Sequence, residues 1–330
     1  MTQVRLCEDR EVWDATVHEL AGHPLQLWGW GEVKAAHGWS AYRCFVMDGE
    51  TVKGAAQVLV RPLPWPFRRF EYIPRGPVCA DADQDEVLEA VIGYVREHFP
   101  GTVLSVEPAR ELAPAGEGWR KSAETILIPN TLILDLTKSE DELQEAMAKK
   151  TRQYIRKSAQ ERTTIRHITQ REMLADCLRI YRETAERAGF PLHDDVYYYD
   201  VFDRLGDSSV IFAASTDDGP VAFLWLAVSE STAFELYGGM NEEGQRMRIN
   251  YALKWHAIKT CKEWGVKKYD LNGLLNDRIS TFKRGFASHE TELAGTYDYP
   301  LSPLYTLWSK TLPGAKSILR RAKSLRIKQR

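Results

Sequence analysis

Short apolar runs rich in β-branched and aromatic residues flank Asp48-Gly49 at residues 42–47 and 55–60, and flank Asp218-Gly219 at residues 210–215 and 221–228. Runs of this length joined by Asp-Gly predict two β-hairpins. Each hairpin leads to the same closing unit. A helical pattern ends at a glycine and feeds a second apolar run: residues 86–99, Gly101 and 103–107 in the first half, and residues 247–264, Gly265 and 266–271 in the second. The two copies lie about 160 to 170 residues apart, so the chain reads as two similar α/β domains in tandem. The dividing positions expected are 1–134 together with 295–330 for the first domain, the C-terminal segment returning to it, and 135–294 for the second.

Between these units the pattern predicts further elements. Helices are expected near residues 11–20 and 27–37, and a strand at 39–46. On the second helix Leu27, Trp30 and Lys34 share a face, so Lys34 either snorkels past the apolar residues or faces a cleft. Residues 61–78 are dense in proline and aromatics, which forbids helix and predicts an irregular wall. Ser139-Glu140-Asp141-Glu142 is a capping box. The helix it opens is expected to carry Leu143, Met147, Tyr154 and Ala159 on one side and a basic stripe of Lys149, Arg152 and Arg156 on another. A helix over residues 172–188 has core spacing at Leu174, Cys177, Leu178, Tyr181 and Ala185 and stops at Gly189, with Arg187 in its last turn, where the dipole favours a cation.

Composition narrows the class. A chain of 330 residues with 44% hydrophobic and 27% charged residues suffices for two cored domains. No apolar run approaches the roughly 20 residues of a bilayer span, and no signal region opens the chain, so a cytoplasmic protein is expected. Five scattered cysteines without a Cys-x-x-Cys pair, and eight dispersed histidines, give no metal-ligand spacing and predict reduced, buried thiols. The net charge of −2 hides an asymmetry, because eight basic residues from Lys310 to Arg330 stand without an acid. A cationic tail on an acidic body offers contacts to RNA or to a membrane surface, with a solvated terminal helix as the plain alternative.

Hairpins followed by a helix and a crossing strand resemble the acyl-CoA N-acetyltransferase (GNAT) architecture, an α+β fold with mixed sheets. Users of coenzyme A in that fold cradle its pyrophosphate on a glycine-rich turn at a helix start. Glu243-Gly244-Gln245-Arg246-Met247-Arg248 lacks those glycines, and Ala82-Asp83-Gln84-Asp85-Glu86 in the first domain would repel a diphosphate. Coenzyme A is therefore disfavoured and no cofactor is expected.

Seven segments, in order, resemble the Fem-type peptidoglycan bridge aminoacyltransferases. They are Trp28-Gly29-Trp30-Gly31-Glu32-Val33-Lys34 with Gly38-Trp39, Gly54-Ala55-Ala56-Gln57-Val58-Leu59, Tyr72-Ile73-Pro74-Arg75-Gly76-Pro77-Val78, Lys150-Thr151-Arg152-Gln153-Tyr154-Ile155-Arg156-Lys157, Thr184-Ala185-Glu186-Arg187-Ala188-Gly189-Phe190, Leu236-Tyr237-Gly238-Gly239, and Thr281-Phe282-Lys283-Arg284-Gly285-Phe286. The resemblance implies transfer of an amino acid from aminoacyl-tRNA to the stem-peptide amine of a precursor, lipid II or UDP-MurNAc-pentapeptide, held in a groove. It assigns Lys34 and Arg187 to the precursor's diphosphate and Lys283 to the reacting ester, with Trp39, Tyr72, Arg75, Tyr237 and Phe282 as further acceptor-groove residues. The long helical hairpin that some members carry in the second domain is not visible, so Arg152, Arg156 or the tail would take the tRNA contacts, and the tail could meet the inner membrane face. Two other classes stay open: an acyl-CoA-dependent acyltransferase acting on an amino sugar or polysaccharide, and a non-catalytic protein that binds precursor or tRNA.

Overall fold

A computed structural model of the chain describes residues 2–275 and 278–311. The chain divides into two compact units, Met1–Pro129 with Glu292–Arg330, and Asn130–Thr291.

In the first unit Ser40–Asp48 and Thr51–Pro62 form the first expected hairpin, with Asp48 opposite Thr51 and Gly49 at φ 60°, a conformation that glycine adopts without a Cβ penalty. Gln3–Leu6 adds to one edge of this pair, and Arg69–Pro74 pairs antiparallel with Thr51–Pro62 on the other side. The helix Gln84–His98 then crosses back so that Val103–Glu107 lies parallel to Arg69–Pro74. Its buried face carries Val87, Leu88, Val91, Ile92 and Val95, which pack on Val46, Val58, Ile73, Leu104 and Val106 of the strands. At about 1.5–3 kcal/mol for each fully buried aliphatic side chain, this face dominates the stability of the helix over its intrinsic propensity. Tyr297–Pro300 follows, antiparallel to Val103–Glu107, and the short strand Arg120–Lys121 pairs with it at the edge.

The second unit repeats the plan. Thr164–Ile168, Ser209–Thr216, Gly219–Val228 and Thr232–Met240 run antiparallel in sequence order, and the helix Asn250–Glu263 leads to Lys268–Asp270, which is parallel to Thr232–Met240. Ile133–Asp135 occupies the closing position, antiparallel to Lys268–Asp270. The closing strands are thus exchanged in sequence. Ile133–Asp135, C-terminal to the first parallel pair, joins the second sheet, and Tyr297–Pro300, C-terminal to the second parallel pair, joins the first.

Three expectations need correction. The proline-rich stretch is not wholly irregular, because Pro62, Pro64 and Pro66 precede, and Pro74 ends, a regular strand at Arg69–Pro74. The capping box at Ser139 is present, but the helix it opens stops at Glu145 and a separate helix spans Lys149–Ser158. The Ala148 amide donates to the Gly285 carbonyl (3.0 Å), and Arg152 Nη1 donates to the carbonyls of Gln144, Glu145 and Met147 at 3.0, 3.3 and 2.7 Å. The expected helix at 247–264 likewise begins only at Asn250, since Arg248 sits at φ 54° and ends a short helix at Glu242–Met247. Cys44, Cys79, Cys177 and Cys261 are buried, and burial pushes the Cys44 thiol up to about 12. The basic segment from Lys316 to Arg330 lies outside the described residues.

Candidate functional site

Thr232–Met240 and Lys268–Asp270 pair over three residues only, Thr232 to Phe234 against Lys268 to Asp270. Beyond that point the strands part. An extra residue, Leu236, bulges from Thr232–Met240 opposite the Trp225–Leu226 step. A cavity of about 730 Å³ fills the opening, and all the residues that line it belong to the second unit. Glu235 to Met240 form one wall, the helix Leu174–Ala188 contributes Tyr181, Thr184 and Arg187, the helix Asn250–Glu263 contributes Asn250, Leu253 and Lys254, and the helix Arg278–Arg284 contributes Ile279, Phe282 and Lys283.

The glycines explain how these elements approach so closely. A Cβ on Gly239 would stand 2.6 Å from Thr184 Oγ1, so the wall strand and the helix Leu174–Ala188 meet only because position 239 has no side chain. A side chain at Gly285 would drive into Thr151 Oγ1, which fixes the turn that follows Phe282-Lys283 against the helix Lys149–Ser158.

Arg187 lies exposed at the cavity, donating from Nη2 to the Met240 carbonyl at 2.8 Å and to Thr184 Oγ1 at 3.4 Å. With its amide turned so that the oxygen faces Arg187, Gln245 accepts from Nη1 and Nε at 3.1 and 3.3 Å. Every one of these partners is neutral, so the guanidinium keeps its whole charge for an anion. Lys283 Nζ donates to the carbonyl oxygens of Asn272 and, at 3.2 Å, Gly273. These acceptors too are uncharged. Asn272 can offer its carbonyl there because its backbone is left-handed, φ 53°, and its side-chain Nδ2 is tied to the Glu235 carbonyl at 2.9 Å.

Tyr237 sits in an aromatic cluster, its ring 5.7 Å from Tyr181, 5.1 Å from Tyr198 and 5.4 Å from Trp225. Burial, reinforced by Tyr197, raises its phenol well above the ordinary value, so it is a neutral donor and acceptor. Phe282 packs edge-on against Tyr251 and Phe286 at 4.8 and 5.2 Å.

Sequence reasoning singled out Arg187, Tyr237, Phe282 and Lys283, and the cavity gathers all four. It passed over Glu235, Lys254 and Asn272, which line the same space. The available signal was Glu235 itself, a carboxylate between Phe234 and Leu236 in an apolar strand. Glu235 and Lys254 are 6% and 4% exposed and form an ion pair, and Tyr269 donates its hydroxyl to Glu235 Oε1 at 2.9 Å.

The remaining candidates belong to the first unit. Lys34 Nζ stands 4.3 Å from the centre of the Trp30 ring, the contact expected of residues four apart on the helix Trp28–Ala35. Trp39 packs edge-on to Phe70 (5.9 Å), and Phe70 stacks on Tyr72 (6.1 Å). Tyr72 donates to Glu107, whose other oxygen accepts from the Ile126 and Leu127 amides at 3.1 and 2.8 Å and from Thr296. Arg75 is 1% exposed, with a backbone φ of 49° and Nη2 on the Ile128 carbonyl at 3.3 Å. In the second unit, Arg152 is committed to the three carbonyls named above, whereas Arg156 is exposed.

Comparison with known proteins bears on the fold. Residues 146–284 match the family described as acetyltransferase (GNAT) domain. A lipid II:glycine glycyltransferase of Staphylococcus epidermidis is 24% identical over 385 aligned positions, covering 88% of this chain and 91% of that protein. The enzyme of the same name from Staphylococcus aureus is 23% identical over 388 positions, with the same coverage. These alignments have more positions than this chain has residues, so the relatives carry insertions that it lacks. Among solved structures, the crystal structure of FemX superposes with a TM-score of 0.82 at 20% identity, covering 93% of this chain and 100% of that one. A tandem GNAT protein from the clavulanic acid biosynthesis pathway superposes at 0.51 with 11% identity, covering 92% of this chain and 99% of that one.

The chain is an α/β protein of two tandem acetyltransferase-like domains. Its resemblance to the Fem-type aminoacyltransferases, carried by the ordered motifs, is borne out over nearly nine-tenths of its length.

Proposed function

We propose that the chain forms peptidoglycan cross-bridges, moving an amino acid from an aminoacyl-tRNA ester to the stem-peptide amine of a precursor that is lipid-linked or nucleotide-linked. The observation that carries this reading is the pair of cations, Arg187 and Lys283, that line one cavity between parting strands, Arg187 latched to the Met240 carbonyl and Lys283 to the Asn272 carbonyl. It is supported by the names of the staphylococcal relatives, which act on lipid II with glycine.

An ester donor is already activated, so the reaction needs alignment, loss of one proton from the attacking ammonium, and a counter-charge for the tetrahedral intermediate. The amine nitrogen bonds to the ester carbonyl carbon. As the intermediate collapses, the carbon–oxygen bond to the ribose breaks, the ribose oxygen takes up a proton and the nitrogen loses one. Lys283 is assigned to the oxyanion. Arg187 is assigned to the precursor's diphosphate, which cations bind by charge-assisted hydrogen bonds, and the resemblance gives Lys34 the same assignment. Tyr72, Arg75, Trp39, Tyr237 and Phe282 are assigned to shaping the acceptor site, and Arg156 is the better placed of the two helix arginines for tRNA because Arg152 is already engaged.

An acyl-CoA donor fits less well. The helix Glu242–Met247 has its start capped by the Asn241 side chain on the Gly244 amide (2.9 Å), and Glu242 and Glu243 crowd the first turn with negative charge. The deciding experiment incubates the protein with total charged tRNA and either lipid-linked or nucleotide-linked precursor, and reads the product by mass spectrometry. A mass increase of one or more amino acid residues that RNase abolishes is expected. Transfer from acyl-CoA instead, or precursor binding without transfer, would replace this reading.

A further inference from the structure

Lys254 and Glu235 pose a question that transfer chemistry alone does not answer. A buried ion pair gives up the hydration of both charges, and an apolar pair of similar volume often serves stability as well. Here the pair stands in the wall of the cavity, where the strands part, a few residues from the Asn272 carbonyl that holds Lys283.

We propose that Glu235 is the subsite for the α-ammonium of the amino acid being transferred, which makes the cavity selective for esters carrying a positive charge beside the carbonyl. The inference rests on the aminoacyl-transfer reading above.

Charge balance is the first support. Arg187, Lys254 and Lys283 line the cavity as cations, and Glu235 is the one carboxylate among the described lining residues. An aminoacyl ester brings an ammonium two bonds from the carbon under attack. The carboxylate that receives it must share the cavity with the cation that meets the oxyanion, and Glu235 does so.

Valence is the second. The hydroxyl of Tyr269 and the ammonium of Lys254 both donate to Oε1. Among the described residues no donor reaches Oε2, and an ionised carboxylate has about four acceptor positions. Burial and the adjacent Glu235 hold the Tyr269 phenol neutral, so it stays a donor. Lys254 is also drawn to the faces of Phe282 and Phe286, 5.3 and 5.8 Å from the ring centres, which steadies it on one side of Glu235.

The third is that the alternative ammonium in the reaction, the acceptor amine, must be deprotonated to attack. A carboxylate clasping it as an ammonium would favour its unreactive form. The donor's own amine carries no such requirement.

The test uses the full chain and two small esters, glycine methyl ester and N-acetylglycine methyl ester, with n-butylammonium as a cation without an ester, each titrated by ligand-observed NMR. Wild type is expected to bind glycine methyl ester about 10-fold or more tighter than the other two, the worth of one charge-assisted hydrogen bond. Glu235→Gln is expected to erase that preference. Failure of wild type to prefer the ammonium ester, including failure to bind it, overturns the proposal, as does n-butylammonium binding equally well. So does an unchanged preference in a folded Glu235→Gln protein. Should that variant not fold with Lys254 left unpaired, Glu235→Gln/Lys254→Met removes both charges, and the wild-type comparison decides in any case. These probes carry no RNA, so a chain that proves not to use tRNA could still pass, and a chain that transfers from tRNA could still fail.

Discussion

Arg187 Nη2 lies 2.8 Å from the carbonyl oxygen of Met240, so the last turn of one helix is latched to the end of the strand that walls the cavity. The latch aims a guanidinium along the wall without neutralising it. The end of the helix and the cavity wall therefore meet in a single side chain.

Replacing Arg187 by Met is expected to weaken binding of a diphosphate-bearing precursor about 10- to 100-fold, and that of a stem peptide lacking the diphosphate little. Lys34→Met is expected to do the same. Titration of both acceptors against each variant checks this, and equal losses for the two acceptors would remove the diphosphate assignment.

Lys283→Met is expected to lower kcat on the order of 100-fold while precursor affinity stays within about twofold. Steady-state kinetics beside a binding isotherm separates the two. An undiminished kcat takes Lys283 out of the reaction.

Asn272 links backbone conformation to the position of Lys283. Asn272→Ala keeps a β-carbon in the left-handed region but loses the Nδ2 bond to the Glu235 carbonyl, and is expected to cost about 1–3 kcal/mol of stability together with a drop in kcat. Asn272→Gly keeps the backbone geometry and is expected to recover most of the stability. Denaturant unfolding of both variants, alongside kcat, is the measurement, and equal behaviour of Ala and Gly would show that the left-handed backbone is not what matters.

Glu71 is fully buried on the strand Arg69–Pro74, neither oxygen is hydrogen-bonded among the described residues, and burial raises its carboxyl to about 8. Between about pH 4.5 and 8 the folded chain holds a proton at this site that the unfolded chain has released, so stability is expected to fall as pH rises across that window and to level off above it. Urea unfolding at intervals of pH checks the slope. Glu71→Gln is expected to flatten it, and a wild-type stability that climbs through the same window would contradict the assignment.

The hairpins were legible because Asp-Gly turn chemistry is local, and the Asp48–Thr51 register follows from it. The helix ending at Gly189 was legible for the same reason, φ 74° being a conformation that its glycine announces. The break between Glu145 and Lys149 was not, since Met147 and Ala148 favour helix and the Ala148 amide is claimed by a carbonyl 137 residues away, at Gly285. The site divides in the same manner. Lys283 and Arg187 stand beside glycines and aromatics in recognisable motifs, whereas Glu235 takes its meaning from Lys254 and Tyr269, on other elements, and nothing near it in sequence names those partners.

The reciprocal placement of Ile133–Asp135 and Tyr297–Pro300 bears on how the protein is born. When the ribosome has delivered residues 1–129, the nascent first sheet still exposes the edge of Val103–Glu107, and the residues that will cover it are nearly the last described part of the chain to emerge. The half that is made first is therefore finished last. An open β-edge must survive the whole synthesis of its neighbour.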